Sequence, residues 1–352
     1  MNILKKTAFS LIPLLLFALM AELAIRVYFY QKHGPYSTGI SALYHQLVSW
    51  KERRYADAKQ IPPLFQRDPV VGYKSVPGVH ELVFERGRQT LKAKVTIGKD
   101  GYRVTSPDPE RYVGKPEIWI FGCSFTYGWG LNDQDTYSWL LQKRFPGWRV
   151  RNLGQPGYGN LQALLQLEHA VSAGERLPAI ALFVYNPFHR ERNAGAYSFL
   201  SRMTGHGTAD YSYPIAAINE AGLVDVQWVY LHTAGKPRPD PEDWYDIAVT
   251  KPIFYRLWTL CSSHHIRPIF GLQSGTTNDP IAQYAKHRGF TVINFSVDLR
   301  EDSGRKYQNL PFDTHPNRLA NLEYAHKLIP ELLEATSGFE PPEGIRADAS
   351  RH

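Results

Sequence analysis

A hydroxyl, a carboxamide and an acid–imidazole pair stand out in this chain, because each follows a short apolar run or sits in a turn. Ser124 lies in Gly122-Cys123-Ser124-Phe125-Thr126, directly after Glu117-Ile118-Trp119-Ile120-Phe121. Gly157 lies in Asn152-Leu153-Gly154-Gln155-Pro156-Gly157, Asn186 in Val184-Tyr185-Asn186, and His315 in Asp313-Thr314-His315-Pro316-Asn317. A serine hydroxyl is a weak nucleophile at neutral pH and needs a base within hydrogen-bond reach. His315 can take that proton and return it to a leaving alcohol. Asp313, two residues earlier, can hold the imidazole tautomer and offset the imidazolium charge. A tetrahedral oxyanion calls for preorganised donors. The backbone N–H groups of Ser124 and Gly157 and the side-chain amide of Asn186 supply three. The chemistry open to such a set is acyl transfer through an acyl-serine, and it calls for no cofactor and no metal.

Taken singly, each residue has a plainer reading. Gly157 can be a turn glycine and Asn186 a loop cap. The Asp313–Asn317 stretch can be an Asx-turn that opens a helix, with Asp313 or Asn317 as cap. Their order and shared placement at strand ends are what favour chemistry. Cys123 is a poor rival nucleophile, since one position before Ser124 it points to the opposite side of the turn. His264-His265 has no partner at metal-ligand spacing and reads as a surface pair. Tyr127, Trp129 and Tyr158 stand beside these blocks. They offer a face on which a sugar would stack, or else they pack the loops.

The elements positioning such a set must bring several strand ends to one rim. Residues 117–121 read as a buried strand, followed by a helix near 135–145 with Asp135 as N-cap and Pro146-Gly147 as its stop. Residues 148–152 read as a strand, 161–171 as a helix, and 179–185 as an unbroken apolar strand fit for the centre of a parallel sheet. Strands follow at 267–272 and 291–295 with a helix near 279–287 between them, and a last helix covers about 317–333. Five strands alternating with helices predict an α/β fold with a three-layer αβα, doubly wound parallel sheet. About eighty residues separate Tyr185 from Arg267, too many for a simple crossover. Residues 211–217 and 223–229 look like a hairpin inside this insertion (about 190–262), which either overhangs the site or decorates the periphery.

Upstream, residues 61–105 carry short strands and turns, punctuated by Asp68-Pro69, Pro77-Gly78 and a hairpin-type turn at Asp100-Gly101. They read as a small β module, a spacer or a lid, with no chemistry visible in it. Lys5 and Lys6 precede an apolar run from Thr7 to about Ile25, interrupted by Pro13 and Glu22. That is close to the roughly 20 residues that cross a bilayer. The lysines favour an inside N-terminus, hence a single-pass signal-anchor in the cytoplasmic membrane with the main domain on the periplasmic, extracytoplasmic side. A cleaved signal peptide and a buried helix are the alternatives.

The expected organisation is an anchor at 1–30, a linker helix and β module at 31–114, a main domain at 115–335 and a disordered tail at 336–352. Within the linker, Lys51-Glu52-Arg53-Arg54 are expected on a solvated helix face. Apolar residues make up 43% and charged residues 21% of the chain, which excludes wholesale disorder. The formal net charge is +7, yet no basic helix, zinc-finger spacing or aromatic RNA motif accompanies it, which argues against nucleic acid as a partner. Cys123 and Cys261 are the only cysteines. Two buried free thiols are the default, with Cys261 on a helix away from Ser124, although an oxidising compartment would permit a bridge.

In order and strand placement, these stretches resemble the blocks of the SGNH hydrolase superfamily, the GDSL-like esterases and lipases, over about residues 115–335. The resemblance implies a flavodoxin-like five-stranded parallel sheet. It also implies Ser124 as nucleophile, Gly157 and Asn186 as oxyanion donors, His315 as base and Asp313 as acid. Asp68-Pro69-Val70-Val71-Gly72-Tyr73 and Pro77-Gly78 resemble the lead-in of membrane-anchored bacterial members. Three departures are visible: Gly-Cys-Ser for Gly-Asp-Ser, Tyr185-Asn186-Pro187 for Gly-x-Asn-Asp, and Asp-x-His for Asp-x-x-His. The last leaves open whether Asp313 or a backbone carbonyl orients His315. The expected function is a membrane-anchored serine esterase that removes or transfers a short acyl group, such as acetyl, on an extracytoplasmic glycan or lipid. The alternative is a non-catalytic module that binds a glycan or an assembly partner. Oligomeric state is not legible.

Overall fold

The computed structural model describes residues 64–203, 211–231, 240, 243–299, 304–337 and 339, together with the single residue Met20. The chain divides into two compact units, Met1–Tyr55 and Ala56–His352; everything below concerns the second. The expected anchor, the linker helix face and the tail beyond Phe339 lie outside the described residues. Among the described residues no helix is long and apolar enough to cross a membrane.

Two antiparallel hairpins come first, β1 (Phe65–Asp68) with β2 (Gly72–Ser75), and β3 (Gly78–Arg86) with β4 (Gln89–Ile97). Then follow β5 (Glu117–Phe121), α1 (Ser124–Tyr127), α2 (Tyr137–Arg144), β6 (Arg149–Asn152), α3 (Asn160–Ser172) and β7 (Ile180–Tyr185). Two short helices, α4 (His189–Asn193) and α5 (Tyr197–Met203), lead to the hairpin β8 (Ser212–Ile218) and β9 (Val224–Tyr230). The chain closes with α6 (Asp243–Ser263), β10 (Arg267–Leu272), α7 (Pro280–Arg288), β11 (Thr291–Asn294) and α8 (Arg318–Ser337).

Five strands form one parallel sheet in the order β11-β10-β7-β5-β6. The chain runs outward from β5 to β6, then returns past β5 to β7, so the order reverses between β5 and β7. Ligands of open α/β sheets bind outside the carboxyl ends of strands at such a switch point; Ser124 follows β5 and Asn186 follows β7. Both strands are buried at every position, because helices cover both faces and no position can be polar without a partner. The period-two alternation of side chains divides the core. Trp119, Phe121, Phe183 and Phe270 face Leu164 of α3 and Ile253 and Phe254 of α6. Ile118, Ile120, Leu182 and Ile269 face Tyr137 and Leu141 of α2 and Tyr324 and Leu328 of α8. Phe121 and Phe183 stack at 5.0 Å between centroids. Removing such a ring to alanine costs about 3–5 kcal/mol.

Several boundaries differ from expectation. Asp135 ends a 3-10 turn, Asp133–Asp135, and the N-cap of α2 is Thr136, whose hydroxyl accepts from the Trp139 amide. The helix α6, whose residues fell within the expected insertion, is the crossover helix between β7 and β10 and packs into the main core. Pro252 lies inside it, which hides a helix from pattern reading. The last helix runs to Ser337, with Pro330 inside it. Residues 336 and 337 are therefore helical, and the Phe339 ring lies 5.0 Å from that of Trp148.

The remaining insertion and the β module share a third core: Tyr73, Phe84, Tyr127, Tyr158, Phe199, Leu200 and Tyr213. At Gly72 the backbone lies so close to β8 that a Cβ would come within 2.2 Å of the Ser212 carbonyl oxygen. The module is thus neither a free spacer nor a lid; it is a packed wall behind the loops that follow β5 and β6. Cys261 lies on α6, and both cysteines are free and buried.

Candidate active site

The turn carrying Ser124 is built from close approach. A Cβ on Gly122 would come within 2.1 Å of Thr126 Oγ1, so only glycine lets α1 fold back against the end of β5. Thr126 is fixed in turn. Its hydroxyl accepts from Tyr137 Oη at 3.0 Å and its carbonyl accepts from Asn152 Nδ2 at 2.8 Å. Arg103, near the end of the β module, holds the continuation of this turn. Its guanidinium pairs with Asp133 at 3.0 Å and donates to the carbonyls of Tyr127 (2.9 Å), Gly128 (2.7 Å) and Leu131 (2.6 Å). The Arg103 side chain is 0% exposed, and deleting one member of such a buried pair costs about 3–5 kcal/mol.

Ser124 Oγ lies 2.9 Å from His315 Nε2, across 191 residues of sequence. His315 Nδ1 lies 2.5 Å from Asp313 Oδ1. The same carboxylate oxygen accepts the His315 backbone amide at 2.7 Å. The short Asp-x-His spacing therefore makes an Asx-turn whose side chain orients the ring as well, and Asp313, not a backbone carbonyl, is the partner of Nδ1. With Nδ1 donating to a carboxylate, Nε2 is left as the acceptor for the serine proton. Burial pushes the Asp313 pKa up. The neighbouring His315 and hydrogen bonds from its ring, its amide and the Thr314 amide outweigh that, and hold the carboxyl below its ordinary value. Asn317 caps α8, accepting from the Leu319 and Ala320 amides, while its Nδ2 donates to the carbonyls of Lys306 and Gln308. Both readings of the Asp313–Asn317 stretch thus hold, one residue serving each.

Of the expected oxyanion donors, Gly157 occupies the third position of a turn closed by Tyr158 N–H donating to Gln155 O at 3.2 Å. Its φ of +83° is one that side chains with a Cβ adopt at a cost. Tyr73 Oη donates to the Pro156 carbonyl at 2.5 Å and Tyr213 Oη to the Gly157 carbonyl at 2.9 Å. Gln155 anchors the turn to Gly122 O through its amide and to Ser75 and Gly101 through its side chain. Asn186 is fully buried. Its Nδ2 lies 3.3 Å from Gln273 Oε1 and 3.8 Å from Cys123 Sγ, and its Oδ1 accepts from Ser274 Oγ at 2.6 Å. Of the three donors, its N–H is the one already engaged, though the thiol is a weak acceptor.

The expected sugar-stacking face is corrected in part. Tyr127 and Tyr158 are 0% and 1% exposed, because their rings fill the wall shared with the β module; neither faces a ligand. Trp129 is half-buried, with its ring 6.3 Å from that of His315. Two half-buried rings escaped the sequence reading: Phe125, edge-on to His315 at 5.5 Å, and Phe188, edge-on to Phe125 at 5.6 Å. Phe125 follows Ser124 and Phe188 follows Asn186 by two, so proximity to the blocks was the available signal. Arg103, Gln273 and Tyr73 carried none, since their contacts are long-range. His264 and His265 are exposed. A groove of about 560 Å³ is lined by Val70, Leu165, Val226, Trp228 and Arg256 among others, and none of the rim residues contributes to it.

A serine hydroxyl, an imidazole and a carboxylate in relay, at the switch point of a parallel sheet, form the geometry of an acyl-transfer site. No family model and no curated protein matches the chain. Solved structures similar to it include a member of the lipolytic protein G-D-S-L family from Veillonella parvula, 13% identical over 61% of this chain and 96% of that one, with a TM-score of 0.36. Another is AlinE4, an SGNH-hydrolase family esterase, 15% identical over 63% and 93%, with a TM-score of 0.35. A third is the lipase/acylhydrolase from Enterococcus faecalis, 12% identical over 62% and 96%, with a TM-score of 0.36.

Proposed function

We propose that this protein is an SGNH-type serine esterase that removes or transfers a short acyl group. The observation that carries this reading is the Ser124–His315–Asp313 relay, with contacts of 2.9 and 2.5 Å. In the proposed reaction His315 Nε2 takes the Ser124 proton as Oγ bonds to the ester carbonyl carbon. The carbonyl oxygen becomes an oxyanion facing the Ser124 and Gly157 amides. Collapse breaks the bond to the alcohol, which leaves with the proton from His315 and gives an acyl-serine. Water, or a sugar hydroxyl, then gives its proton to His315 and takes the acyl group, restoring Ser124. A short acyl group suits a hydroxyl whose residue is only 5% exposed and whose base is flanked by Phe125 and Trp129.

The proposed substrate is an acylated glycan or lipid outside the cytoplasm, with residues 1–30 as the membrane tether. The sequence resemblance and the apolar run behind Lys5 and Lys6 support this part. Hydrolysis of p-nitrophenyl acetate tests the chemistry, and wild-type rates no faster than Ser124→Ala would remove the esterase reading for that class. Labelling by a fluorophosphonate should require both Ser124 and His315. Added sugar acceptors separate the two directions: an acylated sugar product marks a transferase, free acid alone a hydrolase. Protease accessibility of the main domain in spheroplasts tests its side of the membrane. One observation favours a non-catalytic glycan-binding module, the engagement of Asn186 by Gln273. That reading predicts no labelling, and glycan binding unchanged by Ser124→Ala.

A further inference from the structure

The turn Gln155-Pro156-Gly157-Tyr158 has proline second, glycine third at φ +83°, and a closing bond from Tyr158 N–H to Gln155 O. Those features define a type II turn. Type I and type II turns differ mainly by rotation of the central peptide through about half a revolution, which takes the third residue from positive to negative φ. Proline in second place accepts either form, and so does glycine in third place. The sequence by itself therefore leaves the central Pro156–Gly157 peptide free to face either way.

That peptide carries the Gly157 N–H. It is trans, so its carbonyl oxygen and its N–H point in opposite directions. Whatever holds the Pro156 carbonyl thereby aims the Gly157 donor. The carbonyl accepts from Tyr73 Oη at 2.5 Å, and Tyr73 is 0% exposed on β2 of the module. Burial raises the Tyr73 pKa well above its ordinary value, so the phenol remains a protonated donor throughout the working pH range. Tyr73 is itself fixed: its carbonyl accepts from Tyr158 Oη, and its ring packs edge-on against Phe65 and Tyr158 at 5.4 Å.

We propose that Tyr73 is a positioning residue that locks the Pro156–Gly157 peptide in the type II form, so that the Gly157 N–H faces the rim crevice as an oxyanion donor and the Pro156 carbonyl is kept out of it. The inference rests on the esterase reading above. Without the phenol, the peptide can turn over. A carbonyl oxygen would then replace a donor beside the developing negative charge. The β module becomes part of the catalytic apparatus without touching substrate.

Tyr213 supplies an internal comparison. It belongs to the same buried cluster and also donates one hydrogen bond to this turn, but to the Gly157 carbonyl, which lies in the next peptide plane. Tyr73→Phe and Tyr213→Phe should lower thermal stability alike. Only Tyr73→Phe should lower kcat, by about 10- to 100-fold with KM within about twofold, since loss of a whole oxyanion donor costs about 10²–10³ in kcat. Fluorophosphonate labelling should slow in parallel. Should Tyr73→Phe unfold, Tyr73→4-methylphenylalanine fills the hydroxyl volume without a donor and Tyr73→4-aminophenylalanine restores one; only the second should recover activity. Equal kcat in the two Tyr→Phe variants, or in the two unnatural ones, overturns the proposal. If wild type neither hydrolyses p-nitrophenyl acetate nor labels, the esterase reading is what fails.

Discussion

Ser124 and His315 meet at one hydrogen bond, yet the two stretches that deliver them are held in opposite ways. The serine turn is braced from outside: Arg103 grips its continuation, Tyr137 and Asn152 fix Thr126, and Phe84 packs edge-on to Trp129 at 6.1 Å. The histidine loop is braced mostly from within: Asp313 holds His315, Asn309 N–H donates to the His315 carbonyl, and Asn317 ties the loop to residues 306 and 308. The His315 side chain is 26% exposed, whereas Ser124 is 5% exposed. A nucleophile and its oxyanion donors must keep one geometry throughout the reaction, which suits a rigid, buried mount. A base that accepts a proton and hands it on tolerates a lighter one.

The largest effect tests whether the two mounts serve one reaction. Ser124→Ala and His315→Ala should each lower kcat/KM for p-nitrophenyl acetate by about 10³-fold or more, and the double variant by little beyond that, because residues acting as a unit are strongly non-additive. Asp313→Asn should follow, with a loss of about 10²–10⁴ in kcat read in the same assay, since an amide can favour the wrong tautomer. A loss under tenfold would mean that Asn309 and Asn317 alone suffice to hold the loop. Stability sharpens the contrast. Arg103→Met should cost about 3–5 kcal/mol in urea unfolding by leaving Asp133 buried and unpaired, while loss of the α8 cap in Asn317→Ala should cost only about 1 kcal/mol. Comparable losses would erase the distinction between the two mounts.

A pH effect comes from His189, buried behind Asn186 in sequence, with neither ring nitrogen hydrogen-bonded. Burial, and then Arg192, hold its pKa well below the ordinary histidine value. The unfolded chain binds a proton below about pH 6.5 that the folded chain refuses, so stability is full above that pH and declines as pH falls beneath it. One such proton gives a slope of up to ~1.4 kcal/mol per pH unit. Urea midpoints between pH 7.5 and 5 should show it, and His189→Phe should flatten it. Asp313 acts with the same sign further down, its contribution fading as pH falls below the ordinary carboxylate value.

The sheet was legible because β5 and β7 are short, apolar apart from Glu117, and bounded by turn residues. The relay was legible because Ser124 and the Asp313–His315 pair each occupy a few consecutive positions whose types have few other uses. What escaped was everything decided across distance. Nothing local distinguishes Arg103, which reaches Leu131, from a surface arginine. Tyr127 and Tyr158 stand beside the right blocks, but which side of a turn a ring takes depends on the wall behind it. Gln273 meets Asn186 only because β10 lies next to β7. Of α6 only the end carrying Cys261 was expected; its full length was hidden by Pro252 and by apolar residues spread around it.

The wall of Tyr73, Phe84, Tyr158 and Tyr213 joins stretches made at very different moments of synthesis. Tyr73 finds Pro156 across 83 residues, and Ser124 finds His315 across 191. Contacts of such separation form late, since long loops must close before they stabilise anything. A ribosome-bound chain that has not yet released His315 therefore carries an inert serine. The Ser124–His315 contact can close only once the loop before the final helix has been made and docked.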